Sequence, residues 1–213
     1  MSILAIDTAG PVVGVLLDGE KSPFIYTERI TRGAEITVSV AIDKAIRGVS
    51  LSHVVVTVGP GAFTSLRVGV AMALGVATAR GCKVSQVSSL RARAAIESEG
   101  LTLAMLDGRK GRAYTALYED GIQITDELDV DPQVAVELAK GRPFVAVGEG
   151  AEVWRELVES VGGRVSEEAC RSPLQEMVTI SKQSELTPPQ EVVLNYIREP
   201  DAKLPKSAGV HNG

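Results

Sequence analysis

The feature that most constrains this chain is a glycine- and proline-rich turn between a hydrophobic strand and a long apolar helix. The segment reads VGPGAFTSLRVGVAMALGVATAR over residues 58–80. Glycine permits backbone angles that other residues resist, and proline fixes one φ angle and removes a hydrogen-bond donor. We predict a rigid structural turn formed by Gly59, Pro60, Gly61 and Phe63.

The turn could serve either of two purposes. Free backbone N–H groups at the start of the following helix could hold a phosphate, or the stiff corner could present a surface to another protein. The segment lacks the lysine of a P-loop, so only backbone dipoles and Arg67 would meet the charge of a phosphate. We therefore predict a structural and protein-binding role in preference to a nucleotide site.

The helix itself is predicted over Ala62–Arg80, with Thr64 or Ser65 as its N-cap. Its central part, from Val68 to Ala77, has no polar face, and a helix that is apolar all round must be covered on both sides. We expect one side to pack on a sheet and the other to meet a second chain, although a preceding helix over Ala34–Arg47 could also cover it. The predicted partner contacts are Thr64, Arg67, Val68, Gly69, Met72, Ala73 and Val76.

Both halves of the chain begin in the same way. A strand ending at Asp7 and another ending at Asp107 each start a hairpin, after which helices and strands alternate. This repetition predicts a duplicated α/β unit with two lobes, residues 1–100 and 101–204, with a cleft between them and the boundary in the chain near Gly100. Residues 205–213 are expected to form a disordered tail.

Three further elements are predicted from local patterns in the sequence. Ser88 is expected to cap a helix that runs to Glu99, and one helix is expected over Glu149–Val161. The apolar run Val192–Ile197 is interpreted as a last strand.

Composition excludes several classes of function. Lys and Arg number 22 against 27 Asp and Glu, for a net charge of −5, which does not favour binding nucleic acid without a partner. Arg91 and Arg93 are interpreted as surface residues that aid solubility. Two separate cysteines and two scattered histidines predict a reducing cytoplasm and no metal site, and no apolar run is long enough to span a bilayer.

Four residues are candidates for the cleft between the lobes. Asp7 stands where a catalytic aspartate of an actin-like ATPase would, but the glycine-hydroxyl turn such enzymes need is replaced by Thr8-Ala9-Gly10-Pro11. A capping role is therefore preferred, and no catalytic residue is predicted. Asp107, Arg109 and Tyr114 lie around the second hairpin and are expected to form a local salt bridge, with cleft lining as the alternative.

Several motifs together resemble the TsaB (YeaZ) family. They are IDTAG after the first strand, the GPGAFT turn, VSSL after a later strand and MLDGRKGRAYTALY, with VGEGA and LNYIRE further on. The chain departs from the family pattern at Arg32-Gly33-Ala34-Glu35, where a His-Ser pair is usual. A second departure is VSSLRARA in place of VSSLEALA, which introduces Arg91 and Arg93.

The resemblance implies a two-lobed actin/Hsp70-like fold and a part in making N6-threonylcarbamoyladenosine next to the anticodon of tRNA. It implies a non-catalytic subunit that binds a TsaD-like enzyme and a TsaE-like ATPase, forms a homodimer when alone and meets tRNA only through the complex. No cofactor is implied, although a nucleotide at the interface with TsaD is left open. The alternative is an actin-like ATPase or small-molecule kinase with degenerate phosphate loops; a metallopeptidase has no support, because no HExxH motif is present.

Overall fold

The first lobe is built on a five-stranded mixed sheet. The computed structural model describes residues 1–19 and 23–198. The strands are β1 (Ser2–Asp7), β2 (Val12–Asp18), β3 (Phe24–Arg29), β4 (Leu51–Gly59) and β5 (Lys83–Ser88). Their order in the sheet is β3-β2-β1-β4-β5, with the first three strands antiparallel and β4 and β5 parallel to β1.

Helices cover both faces of this sheet, since alternate residues of the central strands point to opposite sides. Leu4 and Ile6 pack with α1 (Ala34–Ile46) and α2 (Phe63–Arg80), whereas Ile3 and Ala5 pack on the other side. The second face is covered by α3 (Ser89–Ala94) and α7 (Leu174–Ser181).

The second lobe repeats this plan at smaller scale. Its sheet has the order β11-β10-β6-β7-β8, with β9 also paired to β7. Its strands are β6 (Leu101–Asp107), β7 (Ala113–Glu119), β8 (Ile122–Gln123), β9 (Leu128–Val130), β10 (Phe144–Val147) and β11 (Gly163–Val165). Its helices are α4 (Pro132–Glu137), α5 (Glu149–Val153) and α6 (Arg155–Ser160).

The predicted duplication is confirmed by the positions of β1 and β6. Each pairs antiparallel with the next strand and parallel with a strand that follows a helix, and each ends in an aspartate, Asp7 or Asp107. The predicted two-lobed α/β class is therefore correct. No helix in the described part of the chain has the length and apolarity that crossing a bilayer requires.

The division of the chain at residue 100 needs one correction. Helix α7 follows the second lobe in sequence but packs on β1, β2, β4 and β5 of the first. Its side chains Leu174, Met177 and Val178 belong to the same core cluster as Ile3. The predicted tail at 205–213 and the end of the proposed second lobe lie outside the described residues.

Local predictions fail where tertiary contacts end an element. Helix α3 ends at Ala94, although the sequence predicted that it continues to Glu99. Beyond its end, the backbone carbonyl of Glu97 accepts a hydrogen bond from Thr102 Oγ1 at 2.9 Å. The helix predicted over Glu149–Val161 is broken at Trp154, whose φ of −114° is not helical. Strands β9 and β11 were not predicted, because each has only three residues.

The last strand predicted at Val192–Ile197 is wrong, because the segment forms no ladder. One backbone bond joins it to the sheet, from Asn195 N to Val58 O at 2.8 Å, while Val193 N donates to the side chain of Gln86 at 2.9 Å. We call residues 192–198 the C-terminal strap. It runs from the first lobe to the second, where Arg198 Nη2 donates to Asp129 Oδ1 at 2.7 Å.

Candidate functional site

The floor of the interlobe cleft contains a buried aspartate whose oxygens are fully engaged. Asp7, the last residue of β1, has no exposed surface. Its Oδ1 accepts from Thr57 Oγ1 at 2.9 Å and from Ala9 N at 3.2 Å. Its Oδ2 accepts from Ser172 Oγ at 2.9 Å and from Arg93 Nη2 at 3.2 Å. The carboxylate is therefore held rigidly and has its charge neutralised by an arginine.

Arg93 connects the two lobes across this floor. It lies on α3 with 2% of its surface exposed, and its Nη1 donates to Ser89 O at 3.1 Å. On its other side, Nε lies 3.8 Å from Oε2 of Glu149, the first residue of α5 in the second lobe. The interpretation of Arg93 as a surface residue is wrong, whereas Arg91 is exposed as expected.

Asp7, Arg93 and Glu149 form what we call the ion-pair cluster, and its composition decides its chemistry. The guanidinium of Arg93 lies between the carboxyl groups of Asp7 and Glu149. A phosphate site that depends on a metal ion would need those carboxyl oxygens to bind the ion. Burial raises the pKa of Glu149, and the charge of Arg93 partly opposes that rise. In the described residues no three His, Cys, Asp or Glu side chains are grouped as a metal site requires. Arg93 thus fills the space in which a cation would sit and pairs with the carboxyl groups that would bind it.

The glycine-proline turn is held from both sides by backbone contacts. A Cβ on Gly61 would lie 2.6 Å from the carbonyl oxygen of Ala9, and a Cβ on Gly59 would lie 2.3 Å from that of Asn195 in the strap. Gly59 also has a φ of +120°, which side chains disfavour, and the Gly59–Pro60 bond is cis. The turn therefore depends on its glycines for close approach as well as for backbone conformation.

We expect Gly59→Ala to lower the free energy of unfolding by about 3 kcal/mol, because it adds both backbone strain and a clash with the strap. Gly48→Ala is the matched control. Gly48 also has a positive φ, +68°, but a Cβ there meets no atom within 4 Å, so we expect a cost of about 1 kcal/mol. Urea denaturation of both variants checks the difference, and equal costs would contradict the proposed contact with Asn195.

The phenylalanine of the turn packs against the C-terminal strap. The rings of Phe63 and Tyr196 have centroids 4.9 Å apart, and the guanidinium of Arg67 lies 3.7 Å from the Phe63 centroid. Arg67 Nε also donates to Tyr196 Oη at 3.0 Å. The predicted side-chain N-cap at Thr64 or Ser65 is absent, since α2 begins at Phe63 with no capping side chain. The strap stabilises the start of α2 in its place.

The predicted partner face of α2 is wrong at two positions. Ala73 is fully buried in the core of the first lobe, and a Cβ on Gly69 would lie 2.2 Å from Thr8 Oγ1. Both residues therefore face the sheet of their own chain and cannot contact a partner. Helical periodicity alone does not identify the sheet side when every side of a helix is apolar.

The other predicted contacts of α2 remain accessible in part. Thr64 and Arg67 are exposed, and Val68, Met72 and Val76 are half-buried. Met72 and Val76 pack at the edge of the core cluster that includes residues of α1. The alternative prediction, that α1 covers this helix, is thus correct for the flank that carries Met72 and Val76. It does not hold for the outer surface of α2, which is exposed.

The outer surface of the α1–α2 pair carries apolar residues that were not predicted. Ile36 and Val40 on α1 are 68% and 48% exposed. Ala71, Gly75 and Ala79 of α2 are exposed at intervals of four residues, and a Cβ on Gly75 would meet no atom within 4 Å. The spacing of these small residues was visible in the sequence, but only the sheet shows that this row points outward. We call these five residues the outer helix face.

The second-lobe candidates lie at the mouth of the cleft. Asp107 Oδ1 accepts from Arg109 N at 2.8 Å, and Oδ2 lies 3.2 Å from Arg109 Nη1, so the predicted local salt bridge is present. Both residues also line a cavity of about 1040 Å³ between the lobes. Tyr114 lies instead on a smaller adjoining groove of about 360 Å³. Asp7 is buried beneath this surface and lines neither space.

Comparisons with known proteins agree with this architecture. The family model for TsaD, described as tRNA N6-adenosine threonylcarbamoyltransferase, matches residues 32–192. The tRNA threonylcarbamoyladenosine biosynthesis protein TsaB of Bacillus subtilis is 28% identical, over 95% of this chain and 96% of that protein. TsaB of Escherichia coli is 32% identical over 76% of this chain and 77% of that protein.

A solved structure shows the same fold. YeaZ from Pseudomonas aeruginosa superimposes with a TM-score of 0.74 at 19% identity and covers 92% of this chain and 100% of that chain. Together with the sequence matches, this supports the fold and the motifs along nearly the full length. The chain belongs to the TsaB (YeaZ) family of tRNA threonylcarbamoyladenosine biosynthesis proteins.

Proposed function

We propose that this chain is a non-catalytic subunit that supports a TsaD-like enzyme in the threonylcarbamoyl modification of tRNA adenosine. The observation that carries the proposal is the outer helix face, in which Ile36 and Val40 of α1 and a row of small residues on α2 are exposed. Small residues allow another helix to approach closely, and exposed apolar side chains gain by being covered. The contact comprises this face with Thr64, Arg67 and the half-buried flank of α2.

The ion-pair cluster supports the absence of catalysis. An actin-like ATPase or kinase would need Asp7 to act on a cation or a phosphate, and here both of its oxygens accept bonds from the protein. Arg93 adds a fixed positive charge at that point, which a divalent cation would have to displace. The chain therefore contributes a surface to the reaction and leaves the chemistry to its partner.

The remaining partners follow from the same role. The complex also takes a TsaE-like ATPase, and tRNA reaches this chain through the complex. Without TsaD the outer helix face of one copy pairs with that of a second, giving a homodimer, because an exposed apolar surface is covered by whatever complementary surface is available. These steps take place in the cytoplasm, where two unpaired cysteines are maintained.

Ala71→Glu and Gly75→Glu test the proposed interface. Each is expected to weaken binding of the TsaD-like enzyme at least 100-fold, because an unpaired carboxylate would be buried at a helix contact. Gel filtration of the mixed proteins and nucleoside analysis of tRNA from the host are the measurements. Val134→Glu places the same charge on an exposed position of α4 and should leave both unchanged. Normal co-elution of the two α2 variants would refute the interface.

A further inference from the structure

A groove at the junction of the lobes combines cations with aromatic rings. It lies between the glycine-proline turn, the β6–β7 hairpin and the C-terminal strap, and has a volume of about 360 Å³. The residues that matter are Phe63, Arg109, Lys110, Tyr114, Tyr196 and Arg198. We call it the hairpin groove.

The charge of the hairpin groove is opposite to that of the whole chain. Among the described residues, Arg109, Lys110 and Arg198 line it with one carboxylate, Asp107, whereas the chain carries a net charge of −5. Arg198 is held by Asp129. The Arg109 side chain is 77% exposed, and its guanidinium Nη1 donates to Asp107 Oδ2 at 3.2 Å. Arg109, at the hairpin tip, therefore presents a largely exposed guanidinium to an anion in the groove.

The backbone at the hairpin tip is unusual. Arg109 and Lys110 have φ angles of +62° and +55°, and Gly111 continues at +73°. Left-handed conformation is unfavourable for a residue that carries a Cβ atom. Glycine would fit both positions without that cost, so the two cationic side chains are present against the local backbone preference.

Aromatic rings form the opposite wall of the groove. Tyr196 is 39% exposed and is fixed by its contacts with Phe63 and Arg67. Tyr114 faces the groove with the guanidinium of Arg198 at 5.6 Å from its centroid. A partly exposed ring held by its contacts, beside an exposed cation, matches a planar base joined to a phosphate, because the base can stack on the ring while the phosphate meets the cation.

We propose that the hairpin groove binds a nucleotide of single-stranded RNA, with Arg109 and Lys110 on the phosphate and Tyr196 stacked on the base. This rests on the proposed role in tRNA modification and extends it, since it gives this subunit a direct contact with the RNA loop. The groove contains none of the five residues of the outer helix face, and it meets the proposed protein contact at Arg67, which donates to Tyr196. We expect one subunit to hold its protein partner and an RNA loop side by side.

The double variant Arg109→Gly, Lys110→Gly tests the phosphate contact without disturbing the fold. Fluorescence anisotropy with a labelled anticodon stem-loop RNA would be measured on the complex of the full chain with its TsaD-like enzyme. We expect Kd to rise about tenfold or more at 0.1 M salt. The slope of log Kd against log salt should fall by about 0.7, because each phosphate neutralised on a single strand contributes about 0.7.

The matched control removes two cations elsewhere. Lys140 is exposed with a φ of +51°, and Lys83 is exposed at the start of β5, so Lys83→Ala, Lys140→Gly makes the same change in net charge. RNA binding should stay within twofold of the unchanged protein. Equal losses in the control and the test variant would show that only net charge matters and would overturn the proposal.

Tyr196 gives an independent test of the stacking contact. Tyr196→Ala should weaken RNA binding at least fivefold, whereas Tyr196→Phe keeps the ring and should bind as the unchanged protein does. Gel filtration shows whether each variant still joins the TsaD-like enzyme. Lost co-elution of the unchanged proteins would refute the proposed function, whereas intact complexes with unaltered RNA affinity in every groove variant would refute the groove alone.

Discussion

Arg93→Leu is expected to lower the free energy of unfolding by about 3–5 kcal/mol, as is found when one partner of a buried ion pair is removed. The change leaves the fully buried carboxyl group of Asp7 with its hydrogen bonds from Thr57, Ser172 and Ala9 but without a counter-charge. It also removes the link to Glu149 across the lobes. Urea denaturation followed by circular dichroism measures the loss.

Arg91→Leu is the control for this prediction, because Arg91 lies two residues away on the same helix and is exposed. Its expected effect is below about 0.5 kcal/mol. Adding Asp7→Asn to Arg93→Leu should recover part of the loss, since the fully buried carboxyl group that lost its counter-charge is then replaced by a neutral amide. If Arg93→Leu unfolds at the same urea concentration as the unchanged protein, the ion-pair cluster does not join the lobes in solution.

Ala73→Glu is expected to cost about 4 kcal/mol or more and to unfold the first lobe. Ala73 has no exposed surface and packs against the sheet, so the new carboxylate would be placed in the hydrophobic core without a partner. The expected result is loss of the helical signal and of cooperative thermal unfolding. A defect in partner binding would follow from unfolding and would carry no information about the interface.

Gly75→Glu, two residues further along α2, is expected to preserve the stability that Ala73→Glu removes. The site is exposed and a side chain there meets no atom within 4 Å. Replacing a mid-helix glycine with a better helix former should leave stability unchanged or raise it by up to about 1 kcal/mol. If the two glutamate variants lost the same stability, the assignment of the inner and outer faces of α2 would be wrong.

Much of the fold was predictable because its signals are local. Continuous apolar runs identified the buried strands, and the repeated strand-to-aspartate pattern indicated two related lobes with Asp7 and Asp107 at corresponding ends. Predictions failed where an element depended on a distant contact. The strap at 192–198 has the composition of a strand, yet its neighbours are a glycine turn, an aromatic ring and the second lobe, which no local pattern encodes.

The candidate site shows the same division more sharply. The motifs were sufficient to identify the family and to select α2 as an exceptional helix. The motifs could not distinguish Ala73, which packs in the core, from Gly75, which is open to solvent. In the sequence, every side of α2 is apolar at this point. Arg93 was taken for a surface residue because its burial depends on two carboxylates, 86 and 56 positions away in the chain.

The sequence by itself determined the turn, the apolar helix, the duplicated lobes and the family, because backbone conformation and hydrophobic periodicity act between near neighbours in the chain. Only the tertiary structure decided which face of α2 is available to a partner and that Asp7 is neutralised by Arg93. Burial and charge pairing are properties of residues brought together from different elements. Their outcome is settled when the lobes pack, and it cannot be read from any one segment.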